Sequence, residues 1–334
     1  MLLNEGSPAV IMVKAEELFH MCSDNYAAVA GGINIDIGGK PFLPMIPGDS
    51  NPGRVEVALG GVGRNIANVL SLLGSRVSFL TAFGEDAYAY RIEASCAELN
   101  IDISRALKVK GGTTPVYLYL NDADGDMLMA VSDMELCESI SPDYLSSNAD
   151  ILRGAKAVAA DTNIPAESLV WLSENCTAPL FADPVSVKKA GKLKDILGKL
   201  HTVKANIIEA ELLSGMQIKD RESLEAAARA MLKTGLERIF ITLGKSGALA
   251  AEKDRVIYAP AFPVQVKSTT GAGDAFMASL IHSYMEGADI EESLRFASAA
   301  ASITVESSET VNPLLSFEKV SERAKKYSTE QSAL

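Results

Sequence analysis

Short, almost uninterrupted apolar runs recur along the chain with helix-patterned segments between them. This alternation narrows the possible folds more than any other feature. Tyr26–Gly31 (YAAVAG) and Val77–Ala82 (VSFLTA) predict strands, as do Ala157–Ala160, Leu180–Ala182, Val203–Lys204 and Arg238–Leu243 (RIFITL). A strand apolar at consecutive positions has no wet face, so it belongs in a parallel sheet covered on both sides. Among the covering helices, Ile66–Leu73 runs to a C′ glycine at Gly74. Pro165–Asn175 opens with proline in the first turn, and Asp220–Lys233 is capped by Asp220 and stops before Gly235. Strand–helix alternation with right-handed crossovers gives an α/β class: a doubly wound, mostly parallel sheet with helices on both faces.

Residues 26–330 are read as one such domain. Residues 1–25 form a leader without the charged start and apolar block of a signal peptide, with one short helix expected over Val13–Met21. Two stretches break the rhythm. Ile37–Leu59 is rich in Gly and Pro and ends in an alternating run, while Thr114–Leu120 and Asp126–Val131 flank a turn at Asn121–Gly125 and predict a hairpin. Both read as excursions forming a small β-sheet lid, over about 38–59 and 113–132; ordinary surface hairpins are the alternative.

Of the 334 residues, 31 are Lys or Arg and 43 are Asp or Glu, a net charge of −12. A nucleic-acid polymer needs a basic surface, so it is not expected as a partner, although a small anion needs only a local site. No apolar run approaches the roughly 18 residues of a membrane span. Cys22, Cys96, Cys137 and Cys176 are scattered, with no C-x-x-C pair, which speaks against zinc and disulfides and for a reducing cytoplasm.

Several motif fragments fail. Gly244-Lys245-Ser246 lacks the first P-loop glycine, which is Ile239 here. Gly61-x-Gly63 and Gly271-x-Gly273 have Ile66 and Phe276 where a dinucleotide fingerprint needs glycine. Asp122-x-Asp124-Gly125 places its glycine too early for a calcium loop. His20, His201 and His282 are isolated, and no nucleophile elbow supports an Asp161, Ser186, His201 triad.

The segment Ser268-Thr269-Thr270-Gly271-Ala272-Gly273-Asp274 is different. It follows a strand-like Pro263–Lys267 and opens an apolar helix over Ala275–Tyr284. Small residues at a helix start leave convergent backbone N–H groups for an anion. Asp274 beside such a hole is poorly placed for simple anion binding but well placed to take a proton from an attacking hydroxyl; a tight turn with Asp274 at a helix start is the plainer alternative. A second segment, Gly60-Gly61-Val62-Gly63-Arg64-Asn65, lets a ligand approach the backbone while Asn65 offers donors and acceptors to sugar hydroxyls. Here the alternative is a glycine loop with Asn65 as an N-cap.

In this order the two segments resemble the signatures of the ribokinase-like (PfkB) family of carbohydrate and nucleoside kinases, and the similarity runs from about Tyr26 to about Pro313. The resemblance implies ATP and Mg²⁺ as cofactors and a small nucleoside or sugar as substrate. A homodimer formed through the lid is a further expectation, and the cysteine usage above points to a cytoplasmic protein. In it, Asp274 is the catalytic base and Gly271, Ala272 and Gly273 form the anion hole. Asn34 and Asp36 hold the sugar, with Gly60, Gly61 and Asn65. Asn206 and Glu209 match the N-x-x-E motif associated with Mg²⁺ and phosphate, which implies a metal held there through water. Thr242, Gly244, Gly247 and Thr270 match nucleotide-binding positions, and Asp183 is a further acidic candidate or a strand-end turn residue. Ser268 stands where many members carry an aspartate that helps bind a monovalent cation, so a K⁺ requirement does not carry over. Glu306–Asn312 lacks the glycine common near the adenine pocket.

Within the family, Asn34-Ile35-Asp36, Asp49–Gly53, Asp133-Met134, Asp161-x-Asn163 and Asp183-Pro184-Val185-Ser186 resemble the pseudouridine kinase branch. This implies transfer to a ribosyl 5′-hydroxyl, with Asp133 and Asn163 at the uracil edge; a strand end for Asp133 and a helix cap for Asn163 are the alternatives. Arg64 either pairs with a polar group or is solvated, the solvated state being the expectation. Other sugar or nucleoside kinases, and a non-catalytic sensor, are the rival functions.

Overall fold

The computed structural model describes residues 25–124, 126–326 and 330–332; the helix expected over 13–21 and His20 lie outside them. The main sheet has ten strands. Its parallel part runs, in spatial order, Ile101–Asp102, Arg76–Leu80, Tyr26–Ala30, Ala157–Asp161, Leu180–Asp183, Thr202–Asn206 and Arg238–Thr242. Ala248–Glu252, Arg255–Ala259 and Glu330–Ser332 extend it as an antiparallel edge.

The apolar strands explain the layers. Ala27 and Val29 face one core, packed with the helices Val62–Leu72, Ala272–Met285 and Ile290–Thr304. Ala28 and Ala30 face the other, packed with Ala166–Asn175 and Arg221–Leu232. Both faces of one strand are therefore buried, as a covered parallel sheet requires. No helix among the described residues is long and apolar enough to cross a membrane.

A separate four-stranded sheet has the order Gly53–Gly60, Asn34–Pro41, Val116–Asn121, Met127–Asp133. Its hairpin turn closes through Asp122 N–H to Asp126 O at 2.8 Å and Asp126 N–H to Asp122 Oδ1 at 2.9 Å, so the Asp122 side chain serves the turn itself. Residues paired across strands share a face. On one face stand Asp36, Tyr117 and Ser132, and on the other Ile37, Val57, Leu118 and Val131.

Several boundaries differ from expectation. The run Val77–Ala82 splits: Arg76–Leu80 stays in the main sheet, while Ala82–Gly84 pairs with Leu107–Val109. The helix expected from Ile66 starts at Val62, because Gly61 at φ 101° turns the chain directly into it. Pro165 is the N-cap, in extended conformation, not a first-turn residue. Pro263–Lys267 belongs to no sheet; its last N–H donates instead to Val305 O at 2.8 Å.

Candidate active site

In open α/β sheets, ligands sit beyond the carboxyl ends of the parallel strands. Asp161 and Asp183 end adjacent strands in register, as do Asn206 and Thr242 two strands further along. The strand Tyr26–Ala30 leads at the same edge into Gly31 and Gly32, and the helix Ala272–Met285 begins against this crest.

That helix starts at Gly271, which has φ 79°; a Cβ there would lie 1.8 Å from Thr310 O, so only glycine fits. No side chain caps the helix. Its first backbone N–H groups have no acceptor within the helix, and Ala272 N–H makes only a long bond to Thr269 O at 3.4 Å, so this end can face a ligand. Asp274 sits in the first turn without capping it, and its Oδ2 accepts a hydrogen bond from Asn65 Nδ2 at 2.8 Å. Asn65 lies inside the helix Val62–Leu72, whose N-cap is Gly61, so neither side chain is spent on a helix end. Burial pushes the Asp274 carboxyl up to about 7, helped by the Asp183 and Asp161 carboxylates and opposed by Lys204 and Asn65. A carboxylate tuned there can take a proton near neutral pH.

Asn34 Nδ2 donates to Asp36 Oδ1 at 2.6 Å. Asp36 lies against Gly60: a Cβ on that glycine would come within 2.2 Å of the carboxylate. Gly61 is equally tight, its Cβ position being 2.4 Å from Gly32 O. Burial raises the Asp36 carboxyl, while Asn34 and the Arg64 guanidinium draw it back. Arg64 is not solvated. It is half-buried and donates to Leu59 O at 3.3 Å, because the early helix start folds its side chain back along the preceding strand.

The sequence reading missed Lys204, whose Nζ lies 2.8 Å from Asp183 Oδ2, both side chains at least nine-tenths buried (9% and 3% exposed). A Cβ on Gly273 would stand 3.0 Å from that ammonium, so the glycine leaves room for a cation beneath the helix start. Burial draws Lys204 down, but Asp183, Asp274 and Glu209 more than reverse this and leave it above its ordinary value. The only available signal was a lysine inside an apolar strand, since its partner is on the neighbouring strand.

Asn206 and Glu209 form a reciprocal cap on the helix Ile207–Ser214: Asn206 N–H donates to Glu209 Oε2 and Glu209 N–H to Asn206 Oδ1, each at 2.9 Å. Burial raises the Glu209 carboxyl against the pull of Asn206 and Lys204. Thr242 ends the strand beside Asn206, and the turn after it contains Gly244 at φ 58° and Gly247 at φ 98°. Thr270 is exposed on the loop before Gly271.

Asp133 and Asn163 part company. Asp133 is exposed at a strand end and pairs in register with Val116, which pairs with Ile35; this places it on the sheet face opposite Asp36. Asn163 is buried beside the sugar loop, its Nδ2 lying 3.2 Å from a Cβ position on Gly32, and it caps no helix. Lys189 Nζ donates to its Oδ1, so the amide turns its donor end towards Gly32. A cavity of about 580 Å³ lined by Lys267, Glu306, Asn312 and Arg323 includes none of these groups. His201 and His282 are also elsewhere, bonded through Nδ1 to Thr202 and Ser75.

Residues 25–316 match the family described as pfkB family carbohydrate kinase. The chain belongs to that family. It is a phosphotransferase acting on an alcohol group. It is 35% identical over 302 residues to the pseudouridine kinase of Escherichia coli, covering 90% of this chain and 96% of that one. The sugar kinase YeiI of the same organism is 34% identical over 298 residues, covering 89% and 82%. The structure of Arabidopsis thaliana ribokinase complexed with ribose and ATP superposes with a TM-score of 0.80 at 23% identity, covering 90% of this chain and 99% of that one.

Proposed function

We propose that this enzyme transfers the γ-phosphoryl group of ATP to the 5′-hydroxyl of pseudouridine, giving pseudouridine 5′-phosphate and ADP. The observation that carries the chemistry is the junction of Asn65, Asp274 and the bare start of the helix Ala272–Met285. Asp274 accepts the hydroxyl proton as the oxygen attacks, and the N–H groups at Gly271, Ala272 and Gly273 stabilise charge on the transferring group. Lys204 beneath Gly273 adds positive charge at the same point. Asn34 and Asp36, held against Gly60 and Gly61, bind ribose hydroxyls, and Thr242, Gly244, Gly247 and Thr270 take the nucleotide. The small sheet serves as a lid, its Asp36 face towards substrate and water excluded on closure.

For Mg²⁺, no group of three or more His, Cys, Asp or Glu side chains among the described residues forms a metal cage. Mg²⁺ ordinarily needs only one or two carboxylates, with phosphate oxygens and waters completing its shell. Glu209, oriented by Asn206, suits that water-mediated role, and the ion held there would supply positive charge to the phosphates. The outer lid face exposes Val55, Val57, Leu118, Met129 and Val131 at 39–73%, which supports a homodimer formed there.

The relative at 35% identity supports pseudouridine, while the one at 34% supports a sugar as the second reading. For the base, the orientation of Asn163 suits a carbonyl acceptor on the ring. Measuring ADP release with pseudouridine, uridine, cytidine, adenosine, inosine and ribose separates them. Pseudouridine should give the highest kcat/KM; preference for ribose would overturn the nucleoside assignment.

A further inference from the structure

Asp161 neither gives nor takes the proton in the transfer described above, although its charge helps raise Asp274. Both substrate loops are nevertheless bonded to it. It ends the strand Ala157–Asp161 and is 1% exposed. Its Oδ2 accepts from the backbone N–H of Gly32 at 2.9 Å and of Gly63 at 2.7 Å, and its Oδ1 from that of Asn163 at 2.8 Å. The space around it admits nothing else. A Cβ on Gly31 would lie 2.5 Å from Oδ2 and 3.0 Å from Gly63 Cα, and a Cβ on Gly63 would lie 2.9 Å from Gly31 Cα. Gly32 and Gly63 come from separate parts of the chain, and each stands two residues ahead of a substrate-loop side chain: Asn34 after Gly32, Asn65 after Gly63. The distance between the sugar-holding pair Asn34 and Asp36 and the Asn65–Asp274 bond is thus set by this bridging carboxylate together with the Arg64 N–H bond to Gly32 O at 3.2 Å and the pairing of Asn34 with Gly60.

We propose that Asp161 is a positioning residue for phosphoryl transfer, holding the two glycine loops in the register that brings the substrate hydroxyl to Asp274. Backbone N–H bonds to a carboxylate are about twice as strong as neutral ones, so the bridge is stiff. A merely structural buried carboxylate would affect stability and both substrates alike, whereas a loop bridge acts on the sugar side alone. The proposal rests on the kinase reading and is tested with whichever nucleoside or sugar the wild-type enzyme accepts.

In Asp161→Ala, the N–H groups of Gly32, Gly63 and Asn163 lose their shared acceptor and the bridge opens. The nucleoside KM should rise about 10- to 100-fold with a lower kcat, a misplacement effect. Affinity for a non-hydrolysable ATP analogue, measured by calorimetry, should stay within about twofold. Unchanged nucleoside kinetics in the folded variant, or a parallel loss of ATP-analogue affinity, would overturn the proposal. Should that variant not fold, Gly63→Ala keeps the carboxylate but forces the loops apart and should show the same split; its absence there overturns the proposal too. A wild-type enzyme that consumes no ATP with any nucleoside or sugar contradicts the kinase reading, which a missing split in an active enzyme does not.

Discussion

Asn65 and Asp274 are 209 residues apart in the chain and joined by a 2.8 Å hydrogen bond from Nδ2 to Oδ2. The bond ties the glycine loop of the substrate side to the first turn of the helix whose start forms the anion hole. It also favours the ionised carboxylate, partly offsetting the burial that raises it to about 7.

From this follows a pH dependence. A base that must be ionised gives a kcat/KM that falls about tenfold per unit below its pKa in the free enzyme. The acid limb should therefore break near pH 7. Asn65→Ala removes a bond that lowers the pKa, so the break should move to higher pH. A pH–rate profile checks both, and a break that stays put in the variant would separate Asn65 from the base.

Asp183 acts in the other direction, since its carboxylate raises Asp274. Asp183→Asn should move the acid limb to lower pH. The same change strands the buried Lys204, and breaking a buried pair costs about 3–5 kcal/mol, which urea titration should register.

The fit of Asp36 against Gly60 predicts a loss confined to the sugar. Gly60→Ala places a methyl group 2.2 Å from the carboxylate position and must displace it. The nucleoside KM should rise about tenfold or more, with the KM for ATP little changed. Steady-state kinetics with each substrate varied in turn tests this.

The Asn206–Glu209 cap has a structural and a catalytic consequence. Asn206→Ala should cost about 0.5–2 kcal/mol of stability through the lost cap. It should also raise the Mg²⁺ concentration for half-maximal activity, because Glu209 loses the group that orients it. A change in stability alone would confine the pair to capping.

What the sequence disclosed followed from local signals. The strands Tyr26–Ala30 and Arg238–Thr242 are apolar on both faces, and the small residues of Gly271–Gly273 mark a helix start open to an anion. The antiparallel hairpin Ala248–Ala259 was hidden because its first strand is alanine-rich, a composition depleted in sheets. Pro263–Lys267 alternates like a strand, but a strand also needs a partner strand, and it pairs with none among the described residues. The helix start at Val62 was obscured by Gly63, which weakens a helix pattern but is required where the backbone approaches Gly31. Lys204–Asp183 and the Asp161 bridge were invisible for one common reason: each depends on neighbours brought together only by strand order.

The role of Asp274 as base is decided by the turnover of Asp274→Asn, measured as nucleoside-dependent ADP release alongside calorimetric binding of an ATP analogue. Turnover should fall by about 10²–10⁴ in kcat, the usual contribution of a general base, while nucleotide affinity survives. Near-wild-type turnover in a variant that binds nucleotide normally would contradict that role.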